Sequence, residues 1–217
     1  LRRFFKTGEG QYAEGDLFLG LVVPLTRSIA KANKNTPLSE IELLIQSKYH
    51  EARLCALLIL VEQFKKANEP KRGVLYDFYL NHIDYINNWD LVDISCPYIV
   101  GNYLLDKDRS RLYELAESKH LWSQRIAVVS TIAFIRKGEF LDTFALAGKL
   151  LNHEHDLMHK AIGWMLREVG KKDRAALTDF LERNASLMPR TSLRYAIEHY
   201  PETERKAFLS VKQIKNK

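Results

Sequence analysis

LWSQRIAVVSTIAFIRKG, residues 121–138, opens on polar and small side chains and then turns apolar. Ile126, Val129, Ile132 and Ala133 recur at three- and four-residue spacings, the period of one helix face. Ile41, Leu44 and Ile45 repeat the pattern, and no stretch alternates strictly over a strand's length. Six prolines and ten glycines in 217 residues leave few breakers. The predicted class is all-α.

Working outward from that stretch, a period emerges. HEARLCALLILVEQF (50–64), NNWDLVDISCPYIVG (87–101), LMHKAIGWMLREVGKK (157–172) and RTSLRYAIEHYP (190–201) also open polar and turn apolar. The turning points are Arg53, Asp90 or its neighbour Trp89, Arg125, Lys160 and Arg194, at steps of about 35 residues. That is the length of a helix–turn–helix unit in an α-solenoid, whose repeats bury their apolar faces only by stacking. The breaks at 33–37, 67–71, 106–108, 137–139 and 171–173 are short and polar, unlike domain linkers. A single domain over 1–217 is expected.

Local signals place helix starts. Ser39 followed by Glu42 fits a capping box. Asn87 and Asn88 suit the cap before Trp89, and Pro24 suits the first turn of a helix running to about Ala32.

In a stack of such units, Arg53, Arg125, Lys160 and Arg194 would line one concave wall, suited to a nucleic-acid backbone. The same residues suit ordinary solvated helix surfaces, and spacing alone does not choose. The net charge of +6 and pI near 9.2 lean towards a polyanion. One unit breaks the cationic pattern: Trp89, Asp90 and Asp93 put an aromatic and two acids where its neighbours carry Arg or Lys. Trp89 and Asp93 fall one helical turn apart. Asp90 also reads as a first-turn acid matched to the helix dipole.

Several classes are disfavoured. The longest apolar runs, such as 54–61, fall far short of the roughly 20 residues of a membrane span, and no signal peptide is visible. Cys55 and Cys96 stand far apart without a CxxC, as buried reduced thiols do in a cytosolic protein. The chain begins at Leu1 rather than Met, so loss of an upstream helix is expected. HDLMH (155–159) resembles half a zinc-protease motif, but Asp156 stands where the general-base Glu belongs and no third ligand follows. No metal is expected. The tail 212–217 carries three lysines and is expected to be disordered, within reach of DNA phosphates.

Four stretches together resemble the AlkD-like DNA alkylation repair enzymes, the HEAT-like-repeat DNA glycosylases. They are GDLFLGLVVPLTR (15–27), NNWDLVD (87–93), LWSQRIAVV (121–129) and HKAIGWMLREVGK (159–171), the last being the most specific. The resemblance implies a right-handed α-solenoid of HEAT-like repeats that holds duplex DNA in its concave face. It implies hydrolysis of the N-glycosidic bond of N3- and N7-alkylated purines, with no cofactor. It assigns the catalytic carboxylate to Asp93 and the flanking indoles to Trp89 and Trp164. It assigns the arginine of its WxxR motif to Arg125, after Trp122. About 36 residues separate Trp89 from Arg125 and about 39 separate Arg125 from Trp164, so three successive repeats would contribute to one patch. Arg27 is a further candidate for DNA contact, or else its stretch is a packing entry to the first repeat. Such proteins usually carry helical residues before an RRFF-like segment, and these are expected to be absent or removed here.

The chemistry expected of that set is economical. A cationic alkylpurine is already a good leaving group, so the barrier lies in building positive charge on the deoxyribose. An ionised carboxylate near C1′ stabilises that charge and orients the attacking water. Indole faces attract cationic and polarised C–H groups, by roughly 0.5–2 kcal/mol each. An arginine grips a phosphate bidentately and fixes its register. The matched motifs contain no catalytic lysine, which argues for a monofunctional glycosylase rather than a lyase. The alternative expectation is a non-catalytic HEAT-like scaffold that binds DNA or protein. A cytoplasmic monomer acting on double-stranded DNA, with no membrane partner, completes the reading.

Overall fold

A computed structural model describes residues 5–214. Residues 1–4, which begin the RRFF-like segment, and Lys215 and Lys217 of the tail lie outside the described residues. Among the described residues the chain is helical throughout, with one isolated bridge between Leu17 and Tyr49 and no β-strand. The all-α expectation holds. The chain divides into two compact units, 1–106 and 107–217, at a break that the sequence reading places between helices of one domain.

The first unit contains α1 (Val23–Ala32), α2 (Leu38–Ile45), α3 (His50–Lys66), α4 (Glu69–Asn81) and α5 (Trp89–Cys96). Helix α3 is its core. From Leu54 to Val61 only Cys55 is not fully buried, so the helix is apolar on every side. Burying each of its leucines contributes roughly 1.5–3 kcal/mol. Helices α1, α2, α4 and α5 pack against it. Helix α1 starts where Pro24 predicts. The capping box at Ser39 does not form: the N-cap of α2 is Pro37, and no side chain caps the helix. Ser39 therefore sits inside the first turn, and Glu42 is too far along to reach back to the cap.

Helix α5 ends at Pro97, whose nitrogen has no proton to donate to the helical ladder. The chain continues as a π-helical turn, Pro97–Gly101, which absorbs the break.

The second unit contains α6 (Ser110–Glu117), α7 (Leu121–Ser130), α8 (Ile132–Arg136), α9 (Leu141–Lys149), α10 (Asp156–Lys172), α11 (Arg174–Asn184), α12 (Arg190–Ala196) and α13 (Glu202–Ser210). Helix α10 is its axis, packed on α7, α8, α9, α11 and α12. It meets α12 at backbone distance. A Cβ on Gly163 would stand 2.5 Å from the Ser192 carbonyl oxygen and 2.5 Å from Tyr195 Cβ. Only glycine permits that approach. Among the described residues no helix is long and apolar enough to cross a membrane.

Candidate functional site

In the first unit the site is built around the entry to α5. Asn88 is the N-cap, fully buried and extended, and its Oδ1 accepts the Trp89 backbone N–H at 2.9 Å. Asp90 occupies the first turn and accepts the Leu91 N–H at 2.9 Å. Leu91, Val92, Ser95 and Cys96 turn into the core. Trp89 and Asp93 stay half-buried, one turn apart on the same face.

The entry is fastened by a buried set of charges that sequence reasoning missed. His50, 2% exposed, presents both ring nitrogens to carboxylates. Nε2 lies 2.8 Å from Asp90 Oδ2, and Nδ1 lies 3.5 Å from Asp16 Oδ2. The second distance is an ion contact rather than a hydrogen bond. Arg53 donates to Asp16 Oδ1 at 2.7 Å, to Asn87 Oδ1 at 3.1 Å and to the Ser47 carbonyl at 2.8 Å. Asn87 donates in turn to Asp16 Oδ1 at 3.1 Å. Burial would pull the imidazole down, yet the Asp16 and Asp90 carboxylates outweigh it and raise the His50 pKa to about 9. Burial pushes Asp16 the other way, but His50, Arg53 and Asn87 hold its carboxyl below the ordinary value. Two acids and two cations thus close on each other.

The loop that carries Asp16 is pinned as firmly. Leu17 exchanges backbone hydrogen bonds with Lys48 and His50, at 3.3 and 2.8 Å. Buried Glu51 accepts the N–H groups of Leu19 and Gly20, at 2.9 Å each. Gly20, with φ of 85°, takes a left-handed turn that a side chain would resist. Phe18 stacks on His50 at 5.1 Å, and Phe5 bridges His50 and Trp89 at 4.9 and 5.8 Å. This part of the GDLFLG stretch is therefore packing, as one of the two readings had it.

Two of the predicted wall residues are buried. Arg53 is 4% exposed and its guanidinium is spent on the α5 entry, so it does not offer an open contact to DNA. Arg125 is also 4% exposed, and its Nη1 donates to the Leu157 carbonyl near the start of α10. Both sit where a polar opening meets an apolar run, and in each case the opening itself is sealed. The remaining candidates are accessible. Arg27 on α1 and Arg194 on α12 are exposed. Lys160 on α10 is half-exposed and paired with Asp156 at 2.7 Å. Trp164, one turn further along α10, is half-buried.

The three neighbouring histidines are occupied. His155 Nδ1 caps α10 through the Leu157 N–H, at 3.1 Å. His153 Nδ1 accepts the His155 N–H at 2.9 Å, and its Nε2 meets Gln124 at 2.8 Å. His159 Nε2 bonds the His153 carbonyl. Burial and the two neighbouring imidazoles hold His153 below its usual pKa. Among the described residues, no three His, Cys, Asp or Glu side chains gather as metal ligands.

An all-helical chain with an acid and an indole on one accessible helix face is a fold and surface class shared by more than one activity. The family model for DNA alkylation repair enzymes matches residues 1–200, and the chain belongs to that family. Among solved structures, a predicted DNA alkylation repair enzyme from Enterococcus faecalis superposes with a TM-score of 0.67. That likeness covers 88% of this chain and 92% of the other at 16% identity, so it speaks for the fold alone. No curated protein is similar enough in sequence to match.

Proposed function

We propose that the protein is a monofunctional DNA glycosylase that hydrolyses the N-glycosidic bond of N3- and N7-alkylated purines in duplex DNA. One observation carries the reading in this family: Trp89 and Asp93 share the accessible face of α5 while Leu91, Val92, Ser95 and Cys96 anchor it. The C1′–N bond breaks and its electron pair neutralises the cationic base, which leaves as the free alkylpurine. Asp93 as carboxylate stabilises the charge left on the sugar and orients water. The water oxygen bonds to C1′, and its proton passes to Asp93 and then to solvent. Trp89 supports the same charge through its indole face. Trp164 is assigned a second indole contact. Lys160, Arg194 and Arg27 are assigned to phosphates.

Arg125 takes a narrower role than the resemblance gives it. Through Leu157 it holds the start of α10, the helix that carries Lys160 and Trp164. Within each unit, helices packed on their sequence neighbours are what HEAT-like repeats require, and the repeat reading is part of the proposal.

The test is incubation with methylated duplex DNA and measurement of released 7-methylguanine and 3-methyladenine. Wild type should release at least one, and Asp93→Asn should release far less. Release by neither protein, or equal release by both, sinks the mechanism. Salt-sensitive DNA binding without release would assign the non-catalytic alternative instead.

A further inference from the structure

We propose that His50 is a positioning residue: held between Asp90 in the first turn of α5 and Asp16 in the loop before α1, it sets the direction in which α5 presents Trp89 and Asp93. The inference deepens the glycosylase reading and rests on it for its catalytic readout. Its geometry stands independently.

The contacts are directional. Asp90 is one residue from Trp89 and three from Asp93. Its carboxylate is fixed at both oxygens, Oδ1 by the Leu91 N–H and Oδ2 by His50 Nε2. His50 belongs to α3, the most deeply buried helix of its unit, so Asp90 is tied to a rigid support. Asp16 holds the other ring nitrogen and is itself held by Arg53 and Asn87. Phe18 stacks on the ring, Phe5 packs against it at a tilt, and Phe5 continues to Trp89. Replacing buried ion clusters by apolar packing is often neutral for stability. What this cluster supplies is orientation, which apolar contacts enforce less strictly.

The arrangement needs a proton on each ring nitrogen, because each faces an acceptor. The groups facing His50 are Asp16 from the loop, Asp90 from α5 and, through Asp16, Arg53 from its own helix. Neighbouring Glu51 is turned to the Leu19 and Gly20 amides. The raised pKa of about 9 keeps the ring charged through neutral pH, and the clamp should open above it.

Two variants test this. His50→Gln retains one donor and loses the charge and the second contact. Asp90→Asn retains the acceptor for Leu91 and loses the ionic tether. In single-turnover release of 7-methylguanine, each should slow the chemical step by roughly tenfold to a hundredfold, as small misplacements of reacting groups do, with DNA affinity unchanged. The double variant should be no slower than the worse single one. The wild-type rate should fall as pH rises through about 9, and His50→Gln should lack that limb.

A readout independent of activity separates this from the parent reading. Carbon-bound ring protons of labelled histidine and tryptophan, followed by NMR, should show Trp89 shifting with the titration of His50. That coupling should vanish in His50→Gln. If no base is released by wild type but Trp89 follows His50, the glycosylase reading fails and the positioning device stands. If His50 titrates near 6.5, or titrates while Trp89 stays still, the positioning proposal is overturned. Loss of DNA affinity in step with rate in Asp90→Asn would overturn it as well.

Discussion

Gly163→Ala sets two effects of opposite sign against each other in the middle of α10. Alanine is the better helix former by about 1 kcal/mol, so an unobstructed site would gain stability. Here the new methyl would lie 2.5 Å from the Ser192 carbonyl oxygen and Tyr195 Cβ, and 3.1 Å from Ser192 Cα. Ordinary contact begins at 3.4 Å, so α12 would have to move by about 1 Å. The obstacle is backbone and a Cβ, which cannot rotate away. Overpacking of this kind costs about 1–3 kcal/mol. The shift also strains the bond from Ser192 Oγ to the His159 carbonyl, now 2.9 Å, at a further cost of about 1 kcal/mol. The net expectation is a loss of roughly 1–3 kcal/mol. Urea denaturation followed by tryptophan fluorescence should show a lower midpoint by about 1 M with an unchanged slope. Gly148→Ala is the control, because no atom lies within 4 Å of its Cβ position and α9 should gain a few tenths of a kcal/mol. A Gly163→Ala midpoint equal to or above wild type would refute the close-packed α10–α12 contact.

Other outcomes follow from the charge cluster. The His50 pKa is raised from 6.5 to about 9, so its contribution is complete below 6.5 and is lost as pH rises through 9. Its full size is about 3 kcal/mol. Asp16, whose pKa is lowered, contributes above 3.8 and is lost as pH falls below it. Melting temperature against pH should therefore decline on both sides, and His50→Gln should flatten only the alkaline side. Arg53→Met should lose about 1.5–3 kcal/mol in equilibrium unfolding, because it removes the charged donor 2.7 Å from Asp16 and leaves His50 and Asn87 to hold that carboxylate. Arg194→Ala should reduce the salt slope of DNA binding by about one unit if that exposed residue meets a phosphate. Arg125→Lys, at a buried site, should leave the slope unchanged and lower stability instead; a reduced slope would return Arg125 to the phosphate contacts.

Part of this molecule is legible in its sequence because local chemistry decides it. The helical period, the start of α1 at Pro24 and the Asn88 cap of α5 depend on residues close in the chain. The Ser39 capping box failed for an equally local reason, since Pro37 already supplies the extended N-cap residue two positions earlier. The burial of Arg53 was not legible. Its partners Asp16 and Asn87 lie 37 and 34 residues away, and no pattern in a single sequence pairs them. A cation at the edge of an apolar run reads the same whether the loop above it is open or closed. Only the pinned loop, with Glu51 holding Leu19 and Gly20, closes it.

That closure changes how the basic charge should be understood. The formal +6 counts His50 as neutral, and in that count the cluster sets Arg53 against both Asp16 and Asp90. Protonated His50 cancels the difference, so the cluster is neutral and the basic excess falls to residues outside it. Arg27 and Arg194 are the predicted phosphate contacts left fully open. Screening acts strongly on such exposed charges and weakly on buried ones. Added salt should therefore weaken DNA binding without disturbing the clamp on α5. High pH should do the reverse at first, opening the clamp while arginines keep their charge. A protein built this way would lose affinity and catalytic alignment under separate conditions, which is how the two contributions can be measured apart.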